Sequence, residues 1–319
     1  QHVDTEQLAY HLNDFRAGDV VELTLKCHGT SGRTGYLPLI RNKKRTLWQK
    51  IMRKPADTYT EYGYVTGTRR VVLDNKHDGG FYDDNQFRHE MAKKFEGKLH
   101  KGETVYYEIV GFVNENTPIM ASVKNSKIKD KEFSKMYGEE TVFSYGCDPK
   151  GDWEEKHESG APDVLDFDKI FPPKCEVYVY RMTMSNDEGD VVEMSPEQMR
   201  LRCDQMGVKY VPVFEKFMIP QDEWVEECFD CEGEFGEWRR LRNCTPGEYV
   251  LRKVEQYFDG PDPIGKTHIR EGVVARIVNR PTIAVYKHKN FNFKVLEGII
   301  KDTADAPDME EAQDVTEAE

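Results

Sequence analysis

The chain has 319 residues, 38% of them hydrophobic, with 16 phenylalanines and 16 tyrosines, which supplies a core for one large domain or two modest ones and excludes a natively unfolded polymer. No run of about 18 apolar residues occurs, and the first twenty residues lack the charged-then-apolar order of a secretory leader; the expectation is a soluble, cytoplasmic protein with no membrane partner. The formal charge of −13 is uneven, since residues 301–319 carry −7, and polynucleotide binding stays open because local cations, not the total, meet phosphates.

In chain order, Leu8, Tyr10, Leu12 and Phe15 predict a short helix over Thr5–Phe15, stopped by Ala17-Gly18. Residues 1–18 read as a helix and linker, the remnant of an upstream domain in a chain that starts at Gln1. The alternating run Asp19–Leu25 predicts a strand that delivers Lys26 into a glycine-bearing turn, Cys27-His28-Gly29-Thr30-Ser31-Gly32-Arg33, where backbone amides can face a phosphate. A second strand is expected near Thr34–Ile40. Seven cations then fall within fourteen residues (Arg41, Lys43, Lys44, Arg45, Lys50, Arg53 and Lys54), and they read equally as a solvated face or as a phosphate-contacting patch on the rim of a site.

Tyr62–Leu73 alternates as a strand; Arg69 and Arg70 point to opposite faces of it, so one of the two can line a pocket. Asp84–Phe95 predicts a helix with Phe87, Met91 and Phe95 on one face, and Glu103–Phe112 a strand that carries Glu108. Residues 117–173, with Lys124, Lys127, Lys129 and Lys131, read as a polar, loop-rich insertion. On the strand Glu176–Met182, Tyr178 and Tyr180 share a face. Ser195 as N-cap with Pro196 at the first position starts a helix to about Met206, and Thr245-Pro246-Gly247-Glu248 repeats that signature. Arg239, Arg240 and Arg242 lie between these helices as a second basic cluster.

Two strands follow, His268–Asn279 with Glu271 and Thr282–Lys289, and Lys287 and Lys289 project to one face of the second, where both ammonium groups can converge on one anion. Phe291, Phe293, Val295 and Leu296 are expected to cover the core, and the acidic residues 301–319 to be disordered. Seven cysteines without regular spacing fit a reducing compartment, and Cys228, Cys231 and Cys244 lack a fourth zinc ligand.

Taken together, Lys26-Cys27-His28-Gly29-Thr30, Glu271–Ile277 and Thr282–Asn290 resemble the lysine-dependent nucleotidyltransferases, the superfamily of polynucleotide ligases and messenger-RNA capping enzymes. With His28 where DNA ligases and capping enzymes usually carry Asp, the first motif is most similar to RNA ligases of the second, template-directed, nick-sealing family. The resemblance implies an α+β nucleotidyltransferase (ATP-grasp-like) fold over residues 19–300, with central antiparallel sheets flanked by helices. Some bacterial relatives carry an OB module ahead of it.

The implied activity is an ATP-dependent joining of a 3′-hydroxyl to a 5′-phosphate end, acting as a monomer on an RNA or RNA/DNA duplex with a nick or break. Lys26 would carry AMP covalently, Arg69 meet the nucleotide phosphate, Glu108 the ribose, and Tyr180 stack on adenine. His28, Gly29 and either Ser31 or Arg33 would belong to the nucleotide pocket. Lys287 and Lys289 would hold the α-phosphate and disfavour the ammonium form of Lys26, and Glu271 would serve Mg²⁺ or Mn²⁺ directly or through water. Leu25 stands where such ligases often carry Glu. A DNA ligase, a GTP-dependent capping enzyme and a non-catalytic nucleic-acid-binding relative are the alternatives.

Overall fold

The structure is a computed structural model that describes residues 5–73, 86–151, 172–221 and 244–298. The strands in chain order are β1 (Glu6–Gln7), β2 (Val20–Lys26), β3 (Thr30–Asn42), β4 (Thr58–Gly67), β5 (Val72–Leu73), β6 (Glu103–Asn114), β7 (Thr117–Pro118), β8 (Val123–Lys124), β9 (Glu140–Thr141), β10 (Cys175–Ser185), β11 (Val191–Glu193), β12 (Val213–Met218), β13 (Gly272–Ile277) and β14 (Ala284–Lys289). The helices are α1 (Leu47–Ile51), α2 (Gln86–Lys93), α3 (Lys131–Tyr137), α4 (Pro196–Met206), α5 (Pro246–Glu255) and α6 (Phe291–Glu297). None is long and apolar enough to cross a membrane among the described residues.

Alternation along the strands builds two large sheets, with β7 added beside β6 and β8–β9 a separate two-stranded pair, so the fold is α+β with central antiparallel sheets flanked by helices. The first has the order β1-β14-β13-β2-β12, antiparallel except for the β1–β14 pair; the second has the order β11-β10-β6-β3-β4-β5. In β2, Val21, Leu23 and Leu25 are buried at 0–1% exposure, which leaves Glu22, Thr24 and Lys26 on the opposite face. One core packs α5 and the amino-terminal turns on the first sheet through Leu8, Phe15, Tyr249, Val250 and Val254. The other joins the second sheet to α2 and α4 through Phe87, Phe95, Tyr107, Val177, Met199 and Cys203.

Both proline-led helices begin where expected, each with a complete capping box: Ser195 with Gln198 and Thr245 with Glu248. Several elements differ from expectation. Thr5–Phe15 forms β1 and two 3-10 turns instead of an α-helix, because the free edge of β14 offers backbone groups that Glu6 and Gln7 pair with. The strand expected to run to Leu73 breaks after Gly67: Thr68 N–H donates to Val71 O (2.8 Å), so Arg69 and Arg70 sit in a turn. Of the expected insertion, residues 152–171 lie outside the described residues; in the part that is described, Ile119, Met120, Phe133, Phe143 and Tyr145 enter the main core, Lys124, Lys129 and Lys131 are exposed, and Lys127 donates to Leu296 O (2.9 Å). Phe291 is 72% exposed, because Asn290 caps α6 and turns Phe293 and Leu296 inward instead. Residues 84–85, the 239–242 cluster, Cys228, Cys231 and the acidic tail lie outside the described residues.

The turn after Lys26 is also shorter than expected. Only Cys27, His28 and Gly29 separate the two sheets, and Thr30, Ser31, Gly32 and Arg33 already pair with β6. Gly29 is dictated by close approach: a Cβ there would lie 2.3 Å from the Ile109 carbonyl oxygen and 2.9 Å from Glu108 Cγ. Gly29→Ala therefore should destabilise the protein by about 1–3 kcal/mol, read as a lowered urea midpoint; an unchanged midpoint would refute this approach of β3 to β6.

Candidate active site

Lys26 is the last residue of the first sheet before the chain crosses to the second, so its side chain enters the cleft between them. The cleft holds about 1180 Å³ of space, mouth included. Arg69, Glu108, Tyr180 and Lys287 line it together with Lys26, so five residues singled out in sequence meet in one place. Of the arginine pair, Arg69 lines the cleft and Arg70 is exposed.

Tyr180 reaches the cleft by a route that strand periodicity does not supply. The β10–β6 register steps from Val179↔Tyr107 to Arg181↔Tyr106, leaving Tyr180 as the extra residue of a bulge. The bulge brings Tyr180 and its neighbour Arg181 to the same cleft, while Tyr178, opposite Glu108, is buried in the core.

The other predicted residues lie elsewhere. Lys26, Gly272 and Lys289 form one cross-strand row, and Thr24, Val274 and Lys287 the next, so Lys287 and Lys289 do share a face. Lys287 lines the cleft, whereas Lys289 is buried beside it. Lys289 is 3% exposed and its ammonium meets two carboxylates, Glu271 Oε1 at 3.2 Å and Glu297 Oε2 at 3.0 Å. Glu271 sits just before β13, its backbone oxygen accepting from Asn290 N–H (2.7 Å), and its Oε1 is 2.8 Å from Lys26 Nζ.

Lys26 therefore meets an anion, the Glu271 carboxylate, which it shares with the Lys289 ammonium. Burial pushes the Glu271 carboxyl up, but Lys26, Lys289 and His28 outweigh that and hold it below the usual carboxylate range.

His28 lies behind the lysine at 4% exposure, its ring edge-on to Phe143 (4.6 Å) and Phe293 (4.9 Å). Its backbone N–H donates to the Tyr145 hydroxyl at 2.6 Å, so that amide faces the protein interior and not a phosphate. Ser31 pairs with Glu108 across β3–β6 and is 2% exposed, with no hydrogen bond to its Oγ among the described residues; Arg33 is half-buried opposite Tyr106. Arg88, buried at 1%, fixes the start of β3 by donating to Ser31 O (3.0 Å) and Thr30 Oγ1 (2.7 Å).

Glu297 is the residue that sequence reasoning missed. The signal was available, since Asn290 as N-cap and Gly298 after the last turn bound a helix on which Phe293 and Glu297 share a face. His28, Glu271 and Glu297 bring one ligand atom each to within 4.8 Å of one another. Glu271 Oε2 is buried, makes no hydrogen bond among the described residues and lies 3.9 Å from His28 Nδ1, so the donor set fits a divalent cation.

Four charged residues of the cleft were also unforeseen: Glu22, Arg181, Arg200 and Arg276. Arg200 grips Glu22 through two hydrogen bonds of 2.9 and 3.0 Å, and Arg181 and Arg276 both meet Glu193. With Lys26, Arg69 and Lys287 they give the walls six cations, set against the carboxylates of Glu22 and Glu108 in the walls and of Glu193 and Glu271 beside them, a balance that stays positive and suits an anion.

No protein-family model matches the chain, and no curated protein matches it in sequence. Solved structures resemble it over most of its length. Naegleria gruberi RNA ligase with PPi is 13% identical, with a TM-score of 0.44 over 92% of this chain and 57% of that one. An alanine mutant of the same ligase with ATP and Mn is 12% identical, with a TM-score of 0.42 over 91% of this chain and 56% of that one. A further mutant with AMP and Mn is 12% identical, with a TM-score of 0.43. The chain thus spans less than two thirds of the length of these structures.

Burial pushes the Glu297 carboxyl up to about 7; Lys289 pulls it back and Glu271 adds to the rise. Between its unfolded value of 4.5 and about 7, folded Glu297 keeps a proton that the unfolded chain has released. The stability this gives is whole below 4.5 and is lost as pH rises through about 7. From pH 5 to pH 8 in EDTA, the wild type should therefore lose stability relative to Glu297→Gln, by on the order of 1–3 kcal/mol in urea unfolding. Parallel pH profiles would remove this assignment.

Proposed function

We propose that the chain is an ATP-dependent RNA ligase of the lysine-dependent nucleotidyltransferase superfamily, and that Lys26 is its nucleophile. The observation that carries the reading is the Lys26 ammonium, 2.8 Å from a buried carboxylate, at the junction of two sheets and in a cation-lined cleft. The opposite charges hold the amine at the mouth of the cleft, and the cations of the walls suit a triphosphate.

In the first step Lys26 gives up a proton to solvent, and the neutral amine forms a P–N bond to the α-phosphorus of ATP as the P–O bond to pyrophosphate breaks. In the second, a 5′-phosphate oxygen of the strand forms a bond to that phosphorus, the P–N bond breaks, and Lys26 recovers its proton. In the third, the 3′-hydroxyl oxygen forms a P–O bond to the 5′-phosphate phosphorus as the P–O bond to AMP breaks, and the hydroxyl proton passes to solvent. Tyr180 offers the face for adenine, Glu108 an acceptor for the ribose hydroxyls, and Arg69 and Lys287 the charge for the phosphates. Glu271 Oε2, Glu297 and His28 would hold Mg²⁺ or Mn²⁺, which when bound supplies positive charge for phosphoryl transfer. Those steps order the substrate through positioning and charge compensation, which is where most phosphoryl-transfer catalysis lies.

Incubation with α-labelled ATP and Mg²⁺, beside labelled GTP and NAD⁺, should leave label from ATP on the denatured wild type and none on Lys26→Ala. Label retained by the variant would refute Lys26 as nucleophile, and label taken from GTP alone would redirect the reading to a capping enzyme. Tyr180→Ala should weaken ATP use about 10- to 100-fold through the lost stacking, read as a raised KM for self-labelling.

A further inference from the structure

The β3–β4 hairpin leaves the body of the protein. β3 pairs with β6 only through Thr30–Gly35, whereas its pairing with β4 continues from Tyr36↔Tyr64 to Asn42↔Thr58. Those last seven pairs have no further strand beside them among the described residues. A two-stranded ribbon is marginal by itself. This one is anchored at its root by Tyr36 stacked on Tyr64 (4.7 Å) and by Gly97 N–H donating to the Tyr64 hydroxyl (2.6 Å).

At its tip sits α1, closed by a Thr46–Gln49 capping box. Ten residues of extended strand separate Ser31 from Arg41, about 33 Å at about 3.3 Å per residue. None of the seven cations is among the residues that line the cleft, and they stand on an arm of their own.

The arm has two properties that belong together in few settings. Positions 41–56 contain seven cations and no acid, in a chain whose total charge is −13, and all seven cations are exposed. Beside them stand large apolar side chains open to solvent: Ile40 (78%), Leu47 (77%), Ile51 (70%) and Trp48 (65%). Lys54 Nζ lies 5.8 Å from the Trp48 ring centroid, so a cation accompanies the ring.

We propose that the tip of this arm is a docking surface for a single-stranded stretch of RNA, its phosphates met by Lys43, Lys44 and Arg45 and an unstacked base placed on Trp48. Cations interleaved with an exposed indole match a chain that alternates phosphate charge with flat, apolar bases. A lipid surface fits less well: α1 has five residues, too short to lay down the long apolar face by which interfacial helices bind. The choice of RNA over DNA rests on the ligase reading above; binding of a strand by the arm does not.

The test is anisotropy of a fluorescein-labelled single-stranded RNA 20-mer, titrated with full-length wild type, with Lys43→Ala/Lys44→Ala/Arg45→Ala, with Trp48→Ala and with Trp48→Phe. Self-labelling by ATP is followed in each. The triple variant should bind about 10- to 100-fold more weakly, and its log Kd against log salt slope should be about 2 smaller, near 0.7 per lost phosphate contact. Trp48→Ala should bind about 5- to 100-fold more weakly, and Trp48→Phe within about threefold of wild type.

ATP labelling in all variants should match the wild type, which separates loss of the arm from misfolding. If the wild type takes no label yet the arm variants still lose RNA, the ligase reading fails and strand binding stands. RNA affinity equal to wild type in both the triple variant and Trp48→Ala would overturn the proposal. So would stronger binding to vesicles with 20% phosphatidylserine than to RNA, and a tighter hold on a DNA 20-mer would overturn the assignment to RNA.

Discussion

A carboxylate buried at 1% exposure and shared by two ammonium groups is the constraint on which the centre of this protein depends. Withdrawing Glu271 from water is costly, and the cost is offset only while Lys26 and Lys289 stand on either side of it. Those lysines come from different strands, β2 and β14, with β13 between them, and the row Lys26–Gly272–Lys289 leaves no side chain in the middle. Register in the first sheet is thereby tied to charge balance. A one-residue slip of either outer strand would send its lysine to the far face and strand the carboxylate.

The same pairing settles how the cations divide their work. Lys289 is held inside by Glu271 and Glu297, whereas Lys287, one row away, is left to the cleft. Two lysines that look equivalent in sequence become an interior counter-ion and a wall of the cleft. Three arginines of the cleft are treated likewise: Arg200 is held by Glu22, and Arg181 and Arg276 share Glu193, so their charges are fixed in position.

The crossing between sheets explains why so short a stretch carries so much. Cys27, His28 and Gly29 have to span from the first sheet to the second, and each is fastened: Cys27 is buried, His28 is wedged between Phe143 and Phe293 with its amide on Tyr145, and Gly29 lies against the β6 backbone. The segment after residue 117 and the last helix thus hold the turn behind Lys26 from both sides. The β3–β4 arm is built on the opposite plan, with exposed side chains on a ribbon that has no neighbouring strand among the described residues.

Local chemistry was enough to define many of these elements from the sequence. Alternation at Glu22-Leu23-Thr24-Leu25-Lys26 fixed which face of β2 is polar, capping boxes fixed the starts of α4 and α5, and four-residue spacing fixed the buried face of α2. The motif around Lys26 likewise pointed to Arg69, Glu108, Tyr180 and Lys287, which share its cleft.

What the sequence could not settle were matters decided by partners far away in the chain. The edge of β14 drew residues 6–7 into a strand, a bulge opposite Tyr106 and Tyr107 brought Tyr180 and Arg181 to one cleft, and Glu297 became part of the centre because α6 folds back over His28. Periodicity reports which face of its own element a side chain occupies; which charge that face will meet depends on pairing and packing between elements, and only the tertiary structure supplies it.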